Sequence, residues 1–336
     1  MRQRHFGNGG PAVSALGLGC MGMSDFYGPA DRAESIATIH AALDAGITLL
    51  DTGDFYGMGH NELLLREALA GRRREDVVIA VKFGALRGPD RSFLGFDARP
   101  AAIKTALAYS LQRLGVDYID LYQPARLDQS VPIEETVGAI AELVQAGYVR
   151  HIGLSEVGAE TLRRAQRTHP IAQLQIEYAL VSRGIEAEIL PTARELGIAV
   201  TAYGVLSRGL LGGKWSREQA TTAGDFRSNL PRFSGDNLDR NLLLVEALRR
   251  IAEGHGASVA QVAIAWVLSR GDDIIPLIGA RRRDRLSEAL GALELKLSPD
   301  DLAEIERAVP ADAVAGDRYD PHQMAMLDSE RKETTA

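Results

Sequence analysis

The sequence predicts a (β/α)₈ barrel that forms a single domain over residues 1–336. Eight short apolar runs have the length and composition of strands, and amphipathic helical stretches separate most of them. No Ser-rich or Pro-rich linker divides the chain. Regular alternation of strand and helix implies parallel pairing with a crossover at each step. Eight such units in roughly 300 residues favour a closed barrel over an open doubly wound sheet.

The elements follow one another in a regular order. The first stretch, HFGNGGPAVSAL, is typical of a hairpin that turns at Asn8 and Gly9. Strands are expected at 16–19, 47–51, 77–82, 118–122, 151–155, 173–178, 198–203 and 274–279. Helices are expected in DRAESIATIHAALDAG, PAAIKTALAYSLQRLG and PIEETVGAIAELVQAG. Residues 207–237 are too irregular for one connection and predict a long loop over the barrel end. The polar tail after about residue 311 either covers that end too or is disordered.

Composition limits the classes of function. The chain has 336 residues, of which 46% are hydrophobic and 25% charged, as in an ordinary globular protein. Its net charge of −7 gives no general electrostatic reason to bind nucleic acid. The single cysteine, Cys20, excludes a disulfide framework and suits a reducing compartment. No window approaches the apolar length of a membrane span, so we expect a cytoplasmic protein. The oligomeric state cannot be predicted from this sequence.

One motif is discounted. GLGCMG at 17–22 fits the G-x-G-x-x-G dinucleotide fingerprint, but that fingerprint requires a helix beginning within the motif. Here the next helix is expected only near Asp31. Gly19 and Gly22 are instead expected to let the backbone of the first barrel loop approach a ligand.

Polar residues at the predicted strand ends suggest an acid. Asp51 ends the second strand, Tyr56 follows one turn later, and Lys82 ends the third strand. Singly, each has an ordinary structural explanation as a turn residue, a packing residue or a solvated charge. Together they converge on one rim of a barrel, where active sites lie. A nearby ammonium would stabilise the phenolate and lower the pKa of Tyr56, which would make the phenol a general acid.

Further strand ends suggest a dinucleotide. Arg281, Arg282, Arg283 and Arg285 lie at the start of the last barrel helix, where the helix dipole disfavours cations unless a phosphate binds there. Tyr203 can offer a flat face to an aromatic ring. Hydrogen bonds from Ser155 and Gln175 can hold an amide. A phosphate, an aromatic ring and an amide together describe NADPH.

At this point the sequence resembles the aldo-keto reductases. The matching motifs run in family order from about residue 14 to 295 and include DTGDFYGMGHNE, VVIAVKFG, SLQRLGVDYIDLY, VTAYGVLSRGLLGG and IPLIGARRRDRLSEALGAL. The chain is similar to the bacterial and plant branch that reduces aldehydes and ketones with NADPH. The resemblance implies the same barrel, with the cofactor extended across its carboxyl end.

The resemblance also implies residue roles. Tyr56 would donate the proton, Lys82 would lower its pKa, and Asp51 would pair with Lys82. The implied cofactor residues are Ser155, Glu156 and Gln175 at the carboxamide, Tyr203 on the nicotinamide ring, Gly204, Leu206 and Arg208 at the pyrophosphate, Gly279, Arg281 and Arg285 at the 2′-phosphate, and Glu288 at the adenine. Ala289 stands where the family usually has Asn, so one adenine hydrogen bond is expected to be missing. No metal is implied.

Ala125 departs from the family pattern, which usually has His there to hold the substrate carbonyl. Losing one such donor commonly costs about 10²–10³ in turnover. Three interpretations remain. In the first, Tyr56 works alone or with a water, and the space beside Ala125 admits a bulky ketone. In the second, Arg126 turns in as the donor, although strand alternation argues against this unless the loop breaks the rule. In the third, the protein is an NADPH-binding regulator with little turnover, similar to the potassium-channel β subunits of the family.

Two weaker alternatives concern histidines. A metal-dependent hydrolase is disfavoured because no His pair has metal-ligand spacing. His60 could replace the missing donor, although loop residues are usually solvated. The substrate pocket is expected to be mostly apolar and to suit a medium or large carbonyl compound. Its expected residues are Met21, Met23, Phe26, Phe55, Phe83, Ala125 and Arg126.

Overall fold

A computed structural model describes residues 1–24, 26–216 and 225–331. The strands are β1 (Gln3–His5), β2 (Ala12–Ser14), β3 (Gly17–Gly19), β4 (Leu49–Gly53), β5 (Val78–Phe83), β6 (Ala85–Arg87), β7 (Phe93–Phe96), β8 (Ile119–Pro124), β9 (Val149–Ser155), β10 (Ile171–Glu177), β11 (Ala199–Tyr203) and β12 (Ile274–Gly279). Eight of them form a closed parallel barrel in the order β3, β4, β5, β8, β9, β10, β11, β12. The predicted (β/α)₈ fold and all eight predicted barrel strands are therefore confirmed.

Helices surround the barrel and supply its outer layer. They are α1 (Arg32–Asp44), α2 (His60–Ala68), α3 (Pro100–Leu114), α4 (Ile133–Gln145), α5 (Ala159–Thr168), α6 (Ile189–Glu195), α7 (Gly235–Gly254), α8 (Val259–Leu268), α9 (Arg283–Leu290), α10 (Pro299–Ala308) and α11 (Pro321–Ala325). Side chains cap the amino ends of several helices. The Asp31 carboxylate accepts a hydrogen bond from the Glu34 N–H at 2.7 Å, and Ser258 forms a capping box with Gln261. These caps satisfy N–H groups that the helix itself leaves unpaired.

The first two strands close the amino end of the barrel. β1 pairs antiparallel with β2, and the turn between them has Asn8 at φ 50° and Gly9 at φ 78°. Positive φ at both positions fits the predicted Asn-Gly turn. Phe6 and Val13 pack in one buried cluster with residues that start the barrel strands, including Leu49, Leu121 and Ile275. The hairpin thus covers the amino end and leaves the carboxyl end open for a site.

Covering segments lie over the carboxyl end. Short 3₁₀ turns occupy Ser207–Gly212, Phe226–Asn229 and Pro231–Phe233 within the predicted long loop. Residues 217–224 of this loop fall outside the described part of the chain. The C-terminal segment contains α11 and a 3₁₀ turn at Asp328–Glu330, and Leu327 within it is buried. This segment is therefore a covering element as far as Arg331. The β6–β7 hairpin at the same end was not predicted.

Length and hydropathy give little sign of a membrane segment. Within the described residues, no single helix is long and apolar enough to cross a bilayer. The pair α7 and α8 would pass such a test only when taken together, and the two helices meet at a bend of 86°.

Candidate active site

The carboxyl ends of the barrel strands surround a cavity of about 490 Å³. Most of the predicted site residues line it, although they come from seven different strand ends or the loops that follow them. Those that line it are Met21, Phe26, Asp51, Phe55, Tyr56, Lys82, Ala125, Arg126, Gln175, Tyr203, Gly204, Leu206, Arg208, Gly279 and Arg281. Parallel strands bring these ends to one face, so residues that are distant in sequence share one pocket.

A buried ion pair lies at the base of the cavity. The ammonium of Lys82 donates to Asp51 Oδ1 at 2.5 Å, and both side chains are almost completely buried. The amide nitrogen of Gln175 donates to Asp51 Oδ2 at 2.7 Å. Both carboxylate oxygens are therefore satisfied. The Gln175 amide, predicted to hold a carboxamide, belongs to this network in the structure.

Tyr56 lies beside the pair. Its ring centroid is 5.2 Å from Lys82 Nζ and 4.7 Å from the ring of Phe55. Burial, followed by the negative charge of Asp51, raises the pKa of Tyr56 well above 10, and the charge of Arg126 opposes this rise. Burial also lowers the pKa of Lys82 against the pull of Asp51. Desolvation of the phenolate is the largest influence on this pKa, and a lowering of the Tyr56 pKa by Lys82 stays a prediction. Tyr56 holds its proton at neutral pH.

Ala125 and Arg126 follow β8 directly, and both line the cavity. The Ala125 N–H donates to the Phe83 carbonyl at 2.8 Å, which extends the β5–β8 pairing by one residue. Strand alternation does not keep Arg126 out of the cavity, because Arg126 lies in the loop after the strand, where the alternation of side chains can break.

Glu156 forms a salt bridge that the sequence did not predict. Arg318 of the C-terminal segment donates to both carboxylate oxygens, at 2.9 and 2.6 Å, and the Ser329 hydroxyl donates to Oε2 at 2.6 Å. Burial opposes ionisation, but Arg318 outweighs it and holds the pKa of Glu156 far below its usual range. Glu156, predicted to contact the carboxamide, does not line the cavity, because Arg318 and Ser329 take its oxygens. Ser155 also lies outside the lining residues and accepts a hydrogen bond from Arg126 at 3.4 Å.

Glu177 is the second buried acid of this cluster. Its carboxylate lies 3.2 Å from Arg208 and 3.3 Å from Arg232, and the Ser182 hydroxyl donates to it at 2.7 Å. Burial would raise the pKa of Glu177, but the charges of Arg208 and neighbouring arginines lower it. Arg208 is thus held rigidly at the cavity wall, at the position predicted to face a pyrophosphate.

Tyr319 is a cavity residue that the sequence did not reveal. Its hydroxyl lies 3.1 Å from the Tyr203 hydroxyl, and Arg208 stacks on its ring at 4.3 Å. Arg318 donates to the same Tyr203 hydroxyl at 3.2 Å. The only sequence signal was an Arg-Tyr pair within a polar tail, DRYDP, which periodicity does not single out.

Arginines mark the other end of the cavity. Arg281 donates to the carbonyl oxygen of Tyr27 at 2.9 Å, and Arg227 donates to the carbonyl oxygen of Arg208 at 2.9 Å. A side chain at Gly279 would meet no atom within 4 Å, so space is open beside these cations. Arg285 and Glu288 do not line the cavity and pair with each other at 3.0 Å along α9.

Two predicted pocket residues lie in the core instead. Met23 is buried in the main hydrophobic cluster. Phe83 stacks on Tyr122 with ring centroids 4.4 Å apart and is fully buried. Phe83 is the last residue of β5 and follows Lys82, which faces the cavity, so its side chain points outward to the helices. Phe93 and Phe96 of the β6–β7 hairpin provide the aromatic wall in their place.

Comparison with known proteins gives the family. Within the described residues, no group of three or more His, Cys, Asp or Glu side chains could hold a metal ion. The sequence profile of the Aldo/keto reductase family matches residues 15–310. The chain belongs to the aldo/keto reductase family. The enzyme is accordingly an oxidoreductase that reduces carbonyl compounds with NAD(P)H.

Relatives and solved structures agree with this assignment. The chain is 46% identical over 316 residues to a probable aldo-keto reductase 1 of Glycine max, covering 93% of this chain and 90% of that protein. The fold is similar to a glycerol dehydrogenase of Gluconobacter oxydans, with a TM-score of 0.83, 30% identity and coverage of 99% and 98% of the two chains. It is also similar to an aldo-keto reductase of Bacillus halodurans, with a TM-score of 0.77, 29% identity and coverage of 93% and 97%.

Proposed function

We propose that this aldo-keto reductase uses NADPH to reduce a medium or bulky aldehyde or ketone, with Tyr56 as the proton donor. The observation that carries the proposal is the buried Asp51–Lys82 pair beside a protonated Tyr56 at the base of an open cavity. A phenol that keeps its proton in the resting site has one to donate. A binder without turnover has no use for this arrangement, so the regulatory alternative is disfavoured.

The cavity suits a dinucleotide with a third phosphate. More cationic than acidic side chains line the cavity, and the acidic lining residue, Asp51, is already neutralised by Lys82. Arg208 would face the pyrophosphate, and Arg281, beside the open space at Gly279, would face the 2′-phosphate that distinguishes NADPH from NADH. Tyr203 and Gly204 also line the cavity. The nicotinamide end would bind beside Tyr203, on the side of the pyrophosphate away from the 2′-phosphate.

The residues of this chain would divide the reaction between them. A bound nicotinamide cofactor supplies the hydride for the carbonyl carbon. Tyr56 then gives its hydroxyl proton to the carbonyl oxygen. Lys82 lies near enough to stabilise the phenolate left behind, and Asp51, held by Gln175, keeps Lys82 in place. Aromatic side chains around the entrance keep water away from the reacting atoms.

The methyl group of Ala125 leaves the space that we assign to a bulky substrate. Met21, Phe26, Phe55, Phe93 and Phe96 give the cavity a largely apolar wall. Such a wall suits a large apolar carbonyl compound better than a small polar one.

Tyr56→Phe tests the proposal. NADPH oxidation is followed by absorbance across a panel that runs from small aldehydes to large cyclic ketones. We expect the variant to lose turnover on every member while its affinity for NADPH, measured by fluorescence quenching, stays within about twofold, because only the donated proton is removed. Turnover that survives in Tyr56→Phe would remove Tyr56 from this role. If wild-type turnover decreased with increasing ketone size, the proposed preference for a medium or bulky substrate would be wrong.

A further inference from the structure

Arg126 is a half-buried cation at the cavity wall. Its Nη1 donates to the Ala125 carbonyl at 2.7 Å and to the Ser155 hydroxyl at 3.4 Å. Its Nη2 donates to the Tyr319 hydroxyl at 3.2 Å. All three acceptors are neutral. They fix the plane of the guanidinium without neutralising it.

Among the described residues, three buried arginine side chains near this end of the barrel are paired with acids. Arg208 and Arg232 contact Glu177, and Arg318 contacts Glu156. By contrast, no carboxylate of the described chain lies within 4.0 Å of the Arg126 guanidinium. Burial disfavours the guanidinium charge, but Tyr203, Tyr319 and the charge of Glu156 offset this and raise the pKa of Arg126. A carboxylate in the cavity would supply the direct counter-ion that Arg126 lacks among the described residues.

The hydrogen bonds of Arg126 also leave room for a ligand. A guanidinium has five N–H donors. Three are used as described, which leaves Nε–H and one N–H of Nη2 without an acceptor in the described residues. Donors on adjacent nitrogens match the two oxygens of a carboxylate. The side chain lines the cavity, so these donors are accessible to a bound molecule.

The position of Arg126 separates it from the Arg281 end of the cavity. Gly279 ends β12 and Arg281 follows it, whereas Arg126 follows β8 and adjoins Ala125. The charge of Arg126 also opposes the rise in the Tyr56 pKa, which is consistent with a location near the phenol. An anion bound at Arg126 would lie in the same cavity as Tyr56 and on the side of the barrel opposite Arg281. Arg208 is nearer, because Arg126 and Arg208 both contact Tyr319.

We propose that Arg126 binds the carboxylate of the substrate, so that the enzyme prefers carbonyl compounds that carry a carboxylate next to the reacting carbonyl group. This inference rests on the proposed function, because Tyr56 defines where the carbonyl oxygen lies. The methyl group of Ala125 keeps the approach to the guanidinium open. The substrate class is then a 2-oxo acid with an apolar remainder that fits the aromatic wall.

A matched pair of substrates tests the inference. Phenylglyoxylate carries the carboxylate, and its methyl ester keeps the ketone and ring without the charge. We expect wild-type kcat/KM to favour the acid by at least about tenfold, which is typical of a charged hydrogen-bonded contact. Arg126→Met should lower kcat/KM for the acid by about 10- to 100-fold and change the ester by less than about threefold. Arg126→Lys keeps the positive charge but not the paired N–H donors of the guanidinium, so it should give an intermediate loss of kcat/KM for the acid.

Controls separate this inference from the proposed function. Arg164→Met removes a surface arginine that pairs with Glu134, and it should leave kcat/KM for both substrates unchanged. A wild-type enzyme that reduces the ester and other neutral carbonyls but discriminates against the acid overturns the inference alone. Equal losses for acid and ester in Arg126→Met, or a matching loss of NADPH affinity, would assign Arg126 to the cofactor instead. Absence of turnover on all carbonyls would overturn the proposed function as well.

Discussion

Arg318→Met probes the salt bridge that attaches the C-terminal segment to the barrel. Its guanidinium donates to both oxygens of Glu156 and is only 7% exposed, while the Glu156 side chain is fully buried. Removing one partner of such a pair leaves a desolvated charge and typically costs about 3–5 kcal/mol. Glu156 would retain only the Ser329 hydroxyl and the Glu177 N–H as donors. The variant should therefore unfold more easily.

The expected shift in melting temperature follows from the chain length. An unfolding entropy of about 2.1 cal/mol/K per residue gives about 0.7 kcal/mol/K for 336 residues. A loss of about 3–5 kcal/mol then corresponds to a decrease of about 4–7 °C. The double variant Glu156→Gln with Arg318→Met removes the stranded charge, so it should recover most of this decrease.

Circular dichroism melting at pH 7.5 without cofactor measures the shift, because a bound ligand would itself raise the melting temperature. Arg164→Met is the matched control. Its partner Glu134 and Arg164 itself are both about two-fifths exposed, and the shift should be about 1 °C or less. A shift in Arg318→Met no larger than in this control would refute the reasoning. So would a double variant that melts no higher than the single one.

Other predictions concern the site and its pH dependence. Ala125→His should raise turnover on small aldehydes by up to about 10²-fold and lower it on bulky ketones. Steady-state kinetics on both substrate classes measure this, and a change of the same sign for both classes would contradict it. Arg281→Ala should weaken NADPH binding by about 10- to 100-fold and NADH binding much less, as fluorescence titration would show. Burial, aided by the charge of Glu62, raises the pKa of Asp54 to about 7. Since the folded pKa lies above the unfolded one, stability is lost as the pH rises from about 4 to 7. Asp54→Asn should therefore melt above the wild type at pH 8 and equally at pH 4, and a pH-independent difference would contradict this.

Local pattern explains why the barrel was predictable. Each barrel strand is a short run of three to seven residues, and its apolar pattern depends on its own side chains. The β6–β7 hairpin escaped prediction because its residues include Arg87, glycines and exposed apolar side chains without regular alternation. Its strands are short and depend on pairing with each other.

The sequence by itself determined the barrel, the ends of its strands and therefore the convergence of Asp51, Tyr56 and Lys82, because strand order fixes where strand ends meet. It did not determine which charges pair. Arg318 lies 162 residues from Glu156, and Tyr319 lies 116 residues from Tyr203. Such contacts depend on how the C-terminal segment folds back over the barrel. The elevated pKa of Tyr56 and the carboxylate-free setting of Arg126 also follow from burial and from the distances between charges, which only the tertiary structure decides.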